Sequence, residues 1–289
     1  METSTDSTRD EGSLRGLRVA PILVATLGLA AAACGKNALS AERKAEAMDA
    51  ILPKTVGAAL AGKRIYFGHQ SVGYNIVDGL QAWNRDRPEL GLKIVESRSP
   101  DAFQSPAFAH AKNGANYEPF QKIKEFAETI EGGVGAKVDI AFFKFCYVDF
   151  SPETDVEKVF AEYKTTLTRL REKFPRTRFV HFTTPLTVTQ SGPKATLKRL
   201  LGRKIGGVEA NMVRERYNEL LRREYLGKEP FFDLAKVEAT RLDQRSASFD
   251  QDGKSYPTLA EEYASDGKHL NADGARWVAA HLIKTLAAL

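Results

Sequence analysis

Two short segments carry the residue types that nucleophilic chemistry needs. Near the front, Tyr66-Phe67-Gly68-His69-Gln70-Ser71-Val72-Gly73 sets a serine between an apolar run and a helical pattern. Near the end, Ser265-Asp266-Gly267-Lys268-His269-Leu270-Asn271 sets an aspartate three residues ahead of a histidine. A hydroxyl, an imidazole to take its proton and a carboxylate to orient the imidazole are the parts of a serine nucleophile. Alone, Ser71 would read as a helix N-cap, which serine does well. The distant Asp-x-x-His supplies the base and its orienting group, so the expected catalytic set is Ser71, His269 and Asp266.

Other chemistry-bearing residues fit less well. His69 stands two residues before Ser71, on the same side of an extended segment, and reads as a pocket or structural histidine. With His110 it could also hold a metal, but the five histidines form no close pair of the His-x-His or His-x-x-x-His kind. His181 reads as core and His281 as packing or surface. Cys146 could pair with His269 as a thiol nucleophile, yet it sits in an apolar run where cysteine is usually a small core residue. Asp139 and Asp149 stand at opposite ends of one expected strand and should not meet. Asn211, Arg214 and Asn218 share one helix face, which would either anchor the segment 192–207 or face solvent. No metal or cofactor is expected.

Apolar runs alternate with helical patterns along the chain. Strands are expected at 64–67, 92–96, 138–145, 178–182 and 230–234. Helices are expected at 71–85, 119–131, 153–174, 208–225 and 271–289. A long loop should fill 97–118, and 191–207 looks inserted. Such alternation predicts an α/β fold, three layers α/β/α around a central parallel sheet of about five strands. Sites in such sheets lie beyond the carboxyl ends of the strands. Ser71 and His269 would both reach that edge.

The chain has 289 residues, 42 Lys plus Arg against 37 Asp plus Glu, and two cysteines. The mild excess of +5 gives no dense basic stripe of the kind a nucleic-acid partner needs. The most basic run, 194–204, could meet an anionic polymer or a membrane surface, or be a solvated loop or short helix. Residues 19–33 are apolar and follow Arg15 and Arg18; they are short for a membrane span and suit a signal-peptide core. The alanines leading to Cys34-Gly35 resemble a bacterial lipobox, which implies a lipidated Cys34 as mature N-terminus; ordinary signal-peptidase cleavage near Ala33 is the alternative. The expected organisation is a leader at 1–33, a helical lead-in at 34–62 and one domain at 63–289. The protein is then expected to be exported, periplasmic or membrane-anchored through Cys34.

From Arg64 onward the chain resembles the SGNH hydrolases, the GDSL esterase/lipase superfamily. Asp266-Gly267-Lys268-His269 matches the family's terminal Asp-x-x-His, with Leu270-Asn271 and Gly274 in support. Gly68-His69-Gln70-Ser71 departs from Gly-Asp-Ser, with Gln70 in place of the aspartate. The resemblance implies an oxyanion hole from Ser71 and Gly114; the usual asparagine after the third expected strand is absent, and Asn113, Asn116 or a backbone N–H fills its place, or the third donor is missing. It implies a serine esterase acting on a small-molecule or glycan ester, carbohydrate O-acyl esters being one class. A non-catalytic glycan-binding protein and an O-acyltransferase are the alternatives on the same fold.

Overall fold

The computed structural model describes residues 46–289 apart from Lys54. The leader, Cys34 and the first part of the lead-in lie outside the described residues. What is described of the lead-in ends in a short helix, α1 (Val56–Leu60).

The domain is built on five parallel strands. They are β1 (Arg64–His69), β2 (Ile94–Glu96), β3 (Ala107–Lys112), β4 (Ile140–Phe143) and β5 (Arg178–Phe179), in spatial order β2-β3-β1-β4-β5. β1 lies at the centre, pairing with β3 from Arg64↔Ala107 to His69↔Lys112 and with β4 from Ile65↔Ile140 to Gly68↔Phe143. Its interior is buried on both faces, as a central parallel strand must be. Ile65 and Phe67 belong to one apolar core and Tyr66 to the other.

Helices cover both faces of the sheet. On the first lie α1, α2 (Val72–Asp86), α7 (Leu234–Ala239) and α8 (Ala272–Ala287). On the second lie α3 (Pro119–Thr129), α4 (Val156–Lys173) and α6 (Val208–Tyr225). The expected three-layer α/β/α architecture is therefore the one observed. α2 and α8 approach closely at Gly79, where a Cβ would stand 2.2 Å from the Ala275 carbonyl oxygen. Trp83 Nε1 fastens the same pair, donating to the Arg276 carbonyl at 2.8 Å.

Two expected elements differ. The expected loop 97–118 contains β3, which is a neighbour of β1 and not a connection. The expected strand 230–234 shrinks to β7 (Phe231–Phe232). It pairs with β6 (His181–Phe182) in a separate parallel ribbon that follows β5 after Val180. The insertion contains α5 (Gly192–Leu200), and an unforeseen hairpin, β8 (Ser248–Gln251) with β9 (Lys254–Pro257), precedes the last loop.

The chain leaves β1 for the sheet edge, returns beside it as β3, and crosses to its other side as β4. The order thus reverses around β1, and the crevice beyond its carboxyl end is where ligands bind in sheets of this kind. Ser71 is the second residue past that end.

Candidate active site

Ser71 caps α2 from a backbone that serine rarely adopts, φ 52° and ψ −114°. Positive φ without glycine is costly and persists only where the surroundings impose it. Here Gln70 imposes it from one side. Its buried side-chain amide donates to the Gly114 carbonyl, and its own carbonyl accepts from the Cys146 thiol at 3.7 Å. Gly73 imposes it from the other side, packed so tightly on His69 that a Cβ would meet that ring at 2.5 Å.

The base arrives from the loop before α8. Ser71 Oγ lies 2.8 Å from His269 Nε2, and His269 Nδ1 lies 2.8 Å from Asp266 Oδ2. The other oxygen, Asp266 Oδ1, accepts the amides of His269 and Lys268 at 2.8 and 2.9 Å. The hydrogen bond with His269, reinforced by these amides, holds the Asp266 carboxyl far below the usual carboxylate range. Asn271 fixes the loop by capping α8, its Oδ1 accepting from Gly274 N at 2.9 Å. Gly274 is required there because a Cβ would stand 2.5 Å from the Tyr263 carbonyl oxygen. Asn75, which the sequence did not single out, ties the nucleophile helix to this loop by accepting the Leu270 amide at 3.3 Å. It lies one helical turn after Ser71, and only its spacing could have pointed to it.

The sheet, with Ser71 just beyond its central strand and Asp-x-x-His just ahead of its last helix, decides the architecture. This is the three-layer α/β/α arrangement that the resemblance to the SGNH hydrolases implies. No family model matches the chain, and no curated protein matches it. Several solved structures are similar. One, from Streptococcus pneumonia and described as a platelet activating factor, is 13% identical with a TM-score of 0.46, covering 89% of this chain and 99% of that one. A GDSL-like lipase, so described, from Parabacteroides merdae is 13% identical with a TM-score of 0.45, covering 78% and 95%. The lipopolysaccharide acetyltransferase periplasmic domain of Salmonella ser. Paratyphi A is 12% identical with a TM-score of 0.42, covering 75% and 81%.

The expected oxyanion donors are not all disposed as the resemblance implies. Gly114 has the backbone that calls for glycine, at φ 66° with Lys122 pressed against it. Its N–H, however, donates to Glu125 Oε2 at 2.8 Å and so is not free for an oxyanion. Asn116 is exposed. Asn113 is buried and structural, donating through Nδ2 to the Lys122 carbonyl at 2.9 Å. Where the resemblance implies an asparagine after the third expected strand, which is β4, this chain has Lys144-Phe145-Cys146-Tyr147. Lys144 and Cys146 point into the core, with Lys144 Nζ 3.2 Å from the Phe145 carbonyl and 3.7 Å from Cys146 Sγ. Burial lowers the Lys144 pKa. Cys146 is fully buried with its thiol on the Gln70 carbonyl, while the His269 ring is engaged by Ser71.

Tyr147 does reach the site. Its ring stands edge-on to His269 at 5.7 Å between centroids, and the Arg214 guanidinium lies 5.7 Å from the same ring. Burial, and then the nearby Asp266 charge, raise the phenol's pKa, so it stays protonated. Arg214 also donates to the Tyr147 carbonyl and to Thr187 Oγ1, while Asn211 and Asn218 bind the backbone of Thr187 and Thr184. The polar face of α6 therefore anchors Thr184 and Thr187, in the segment that follows β6, and neither the insertion 192–207 nor solvent is what these three side chains meet.

His69 and His110 do meet, Nε2 to Nδ1 at 3.0 Å, beneath the edge of Tyr74. Burial drives the His69 pKa down to about 2, keeping the ring neutral. Among the described residues no group of three or more His, Cys, Asp or Glu is arranged to hold a metal. Asp139 accepts the Arg64 amide at 2.7 Å, and Asp149 is bound to buried Lys122 at 2.6 Å, so the two do not form a pair.

Proposed function

We propose that the protein is a serine esterase working through Ser71, His269 and Asp266. The observation that carries this reading is the relay of two 2.8 Å contacts from Ser71 Oγ through His269 to Asp266. His269 Nε2 accepts the Ser71 proton as Oγ attacks the ester carbonyl. Asp266, ionised at any working pH, keeps the second ring proton on Nδ1 and stabilises the imidazolium. The imidazolium then gives its proton to the departing alkoxide, leaving an acyl-serine. Water, deprotonated by the same ring, releases the acid. The oxyanion meets the N–H groups of Ser71 and Val72, at the end of α2 where helix amides lack intrahelical acceptors and the dipole favours negative charge.

The substrate class we favour is a carbohydrate O-acyl ester in the cell envelope, met by a protein exported and anchored through lipidated Cys34. An O-acyltransferase would use the same relay with a sugar hydroxyl in place of water. A specific observation favours a further reading, a glycan-binding protein without catalysis: the Gly114 amide is occupied and the asparagine implied after β4 is replaced. The strained Ser71 backbone argues the other way, since a mere N-cap needs no such conformation.

Labelling with a fluorophosphonate separates these readings. Wild type should react while Ser71→Ala and His269→Ala should not. Labelling that survives Ser71→Ala removes Ser71 from the role, and an inert wild type favours the binding protein. Mass spectrometry of the mature N-terminus should find a diacylglycerol on Cys34, and an intact Met1 would refute export.

A further inference from the structure

The inserted helix α5 is amphipathic in the wrong sense for a helix that only packs on a core. Among its described side chains Ala195 is buried, while Leu197, Leu200 and, just beyond it, Leu201 are 57%, 80% and 59% exposed. These leucines stand at i, i+3 and i+4, which places them on one helical face. The turn continues to Leu201, whose amide donates to the Leu197 carbonyl at 3.0 Å. Three of the seven large apolar side chains exposed among the described residues are gathered here.

The charge of the surrounding chain is equally one-sided. No Asp or Glu stands between Glu172 and Glu209, while Lys194, Lys198, Arg199, Arg203 and Lys204 fall within that stretch. Arg203 and Lys204 are exposed beside the leucines. Lys204 pairs with Glu209 at 2.9 Å, but both side chains are at the surface, where such a pair is weak and readily exchanged. Lys198 reaches back to Gln190 Oε1 at 2.7 Å, holding the helix to the segment 187–190. That segment is in turn bound to the base loop, Val188 N donating to the Gly267 carbonyl at 2.8 Å.

We propose that α5 and the turn after it are a docking surface for an anionic lipid bilayer. The three leucines enter the headgroup–acyl boundary, and the flanking Lys and Arg meet lipid phosphates. An exposed apolar face bordered by cations, with no acid within the helix or the turn after it, is the pattern that binds in the plane of such a surface. A second copy of the chain is the weaker occupant, because a two-fold contact through this face would set its cations against one another. The docking surface is independent of whether Ser71 acts on esters.

The chain's two tryptophans, Trp83 and Trp277, are 1% and 2% exposed, so an added indole on α5 reports its own surroundings. Leu200→Trp in the full chain is mixed with phosphatidylcholine vesicles, with and without phosphatidylglycerol. Its emission should shift to the blue, and be quenched by brominated acyl chains, only when the anionic lipid is present. Adding Arg203→Glu and Lys204→Glu should weaken partitioning by at least about tenfold, with an unchanged far-ultraviolet spectrum. Every variant keeps the same N-terminal segment, so the difference belongs to the helix. An indole that stays solvated on anionic vesicles overturns the proposal. So does quenching that survives the charge reversals, and so does a blue shift that grows with protein concentration in the absence of lipid, which would assign the face to a second copy.

Discussion

Changing one atom of Asp266 tests the relay without moving the loop. Oδ1 accepts two backbone amides and Oδ2 faces His269 Nδ1. Asp266→Asn can keep the first role but sets an amide NH2 against Nδ1. Two donors cannot face each other, so the ring turns to the tautomer that carries its proton on Nε2, where it cannot take one from Ser71. On this account kcat for an activated ester falls about 10²- to 10⁴-fold, with KM and melting temperature little changed. An unaltered kcat would take His269 out of the base role. The Asp–His pair was legible because both residues sit in one short loop, where type and spacing carry the geometry. The oxyanion donors were not, because whether the Gly114 amide is free depends on Glu125, in the next helix, and no spacing rule announces that contact. The burial of Lys144 was equally hidden, whereas that of Cys146 was legible from its apolar run.

The contact of α2 with α8 couples the nucleophile to the base. α2 begins at Val72, directly after Ser71, and α8 begins three residues after His269, and they touch where Gly79 meets the Ala275 carbonyl. Gly79→Val must push the helices apart, because the atom it meets is backbone and cannot rotate away. Overpacking of this kind costs about 1–3 kcal/mol. Denaturant titration should show that loss, and kcat should fall by more than the unfolded fraction explains, since Ser71 and His269 separate. Unchanged stability would mean that the helices are not in such close contact. Most elements were readable from periodicity, and the exceptions have local causes. β3 reads Ala-Phe-Ala-His-Ala-Lys, with three alanines and no β-branched residue, so its burial between β1 and β2 overrides a weak strand propensity. The hairpin β8–β9 turns on Asp252-Gly253, both at positive φ, a hairpin signal that was present in the sequence and passed over. The face of α6 was seen as polar, but only the fold shows that it holds Thr184 and Thr187.

Across the whole molecule, buried titratable groups set how the fold meets acid. Burial lowers His69 to about 2 and His181 and His281 to about 4, and lowers His110 as well. In the unfolded chain these rings return to about 6.5 and take protons first. Their contribution to stability is therefore complete above pH 6.5 and is lost as pH falls from there toward the folded values. Glu238 opposes them. Burial raises it to about 8, so the fold holds its proton where the unfolded chain, at about 4.3, has released it, and its contribution grows as pH falls from 8 toward 4. At pH 5.5 the three rings with assigned values favour the unfolded chain by between two and three protons and Glu238 returns about one. The remainder still favours the unfolded chain, so acid lowers stability. Stability measured by denaturant at pH 7, 6 and 5 should thus fall with acid. Glu238→Gln, which deletes the opposing group and keeps an acceptor for the Leu186 amide, should make the fall steeper. A flat profile, or a Glu238→Gln profile no steeper than wild type, would mean that solvent reaches these rings or that carboxyl and that they are not held neutral by the core.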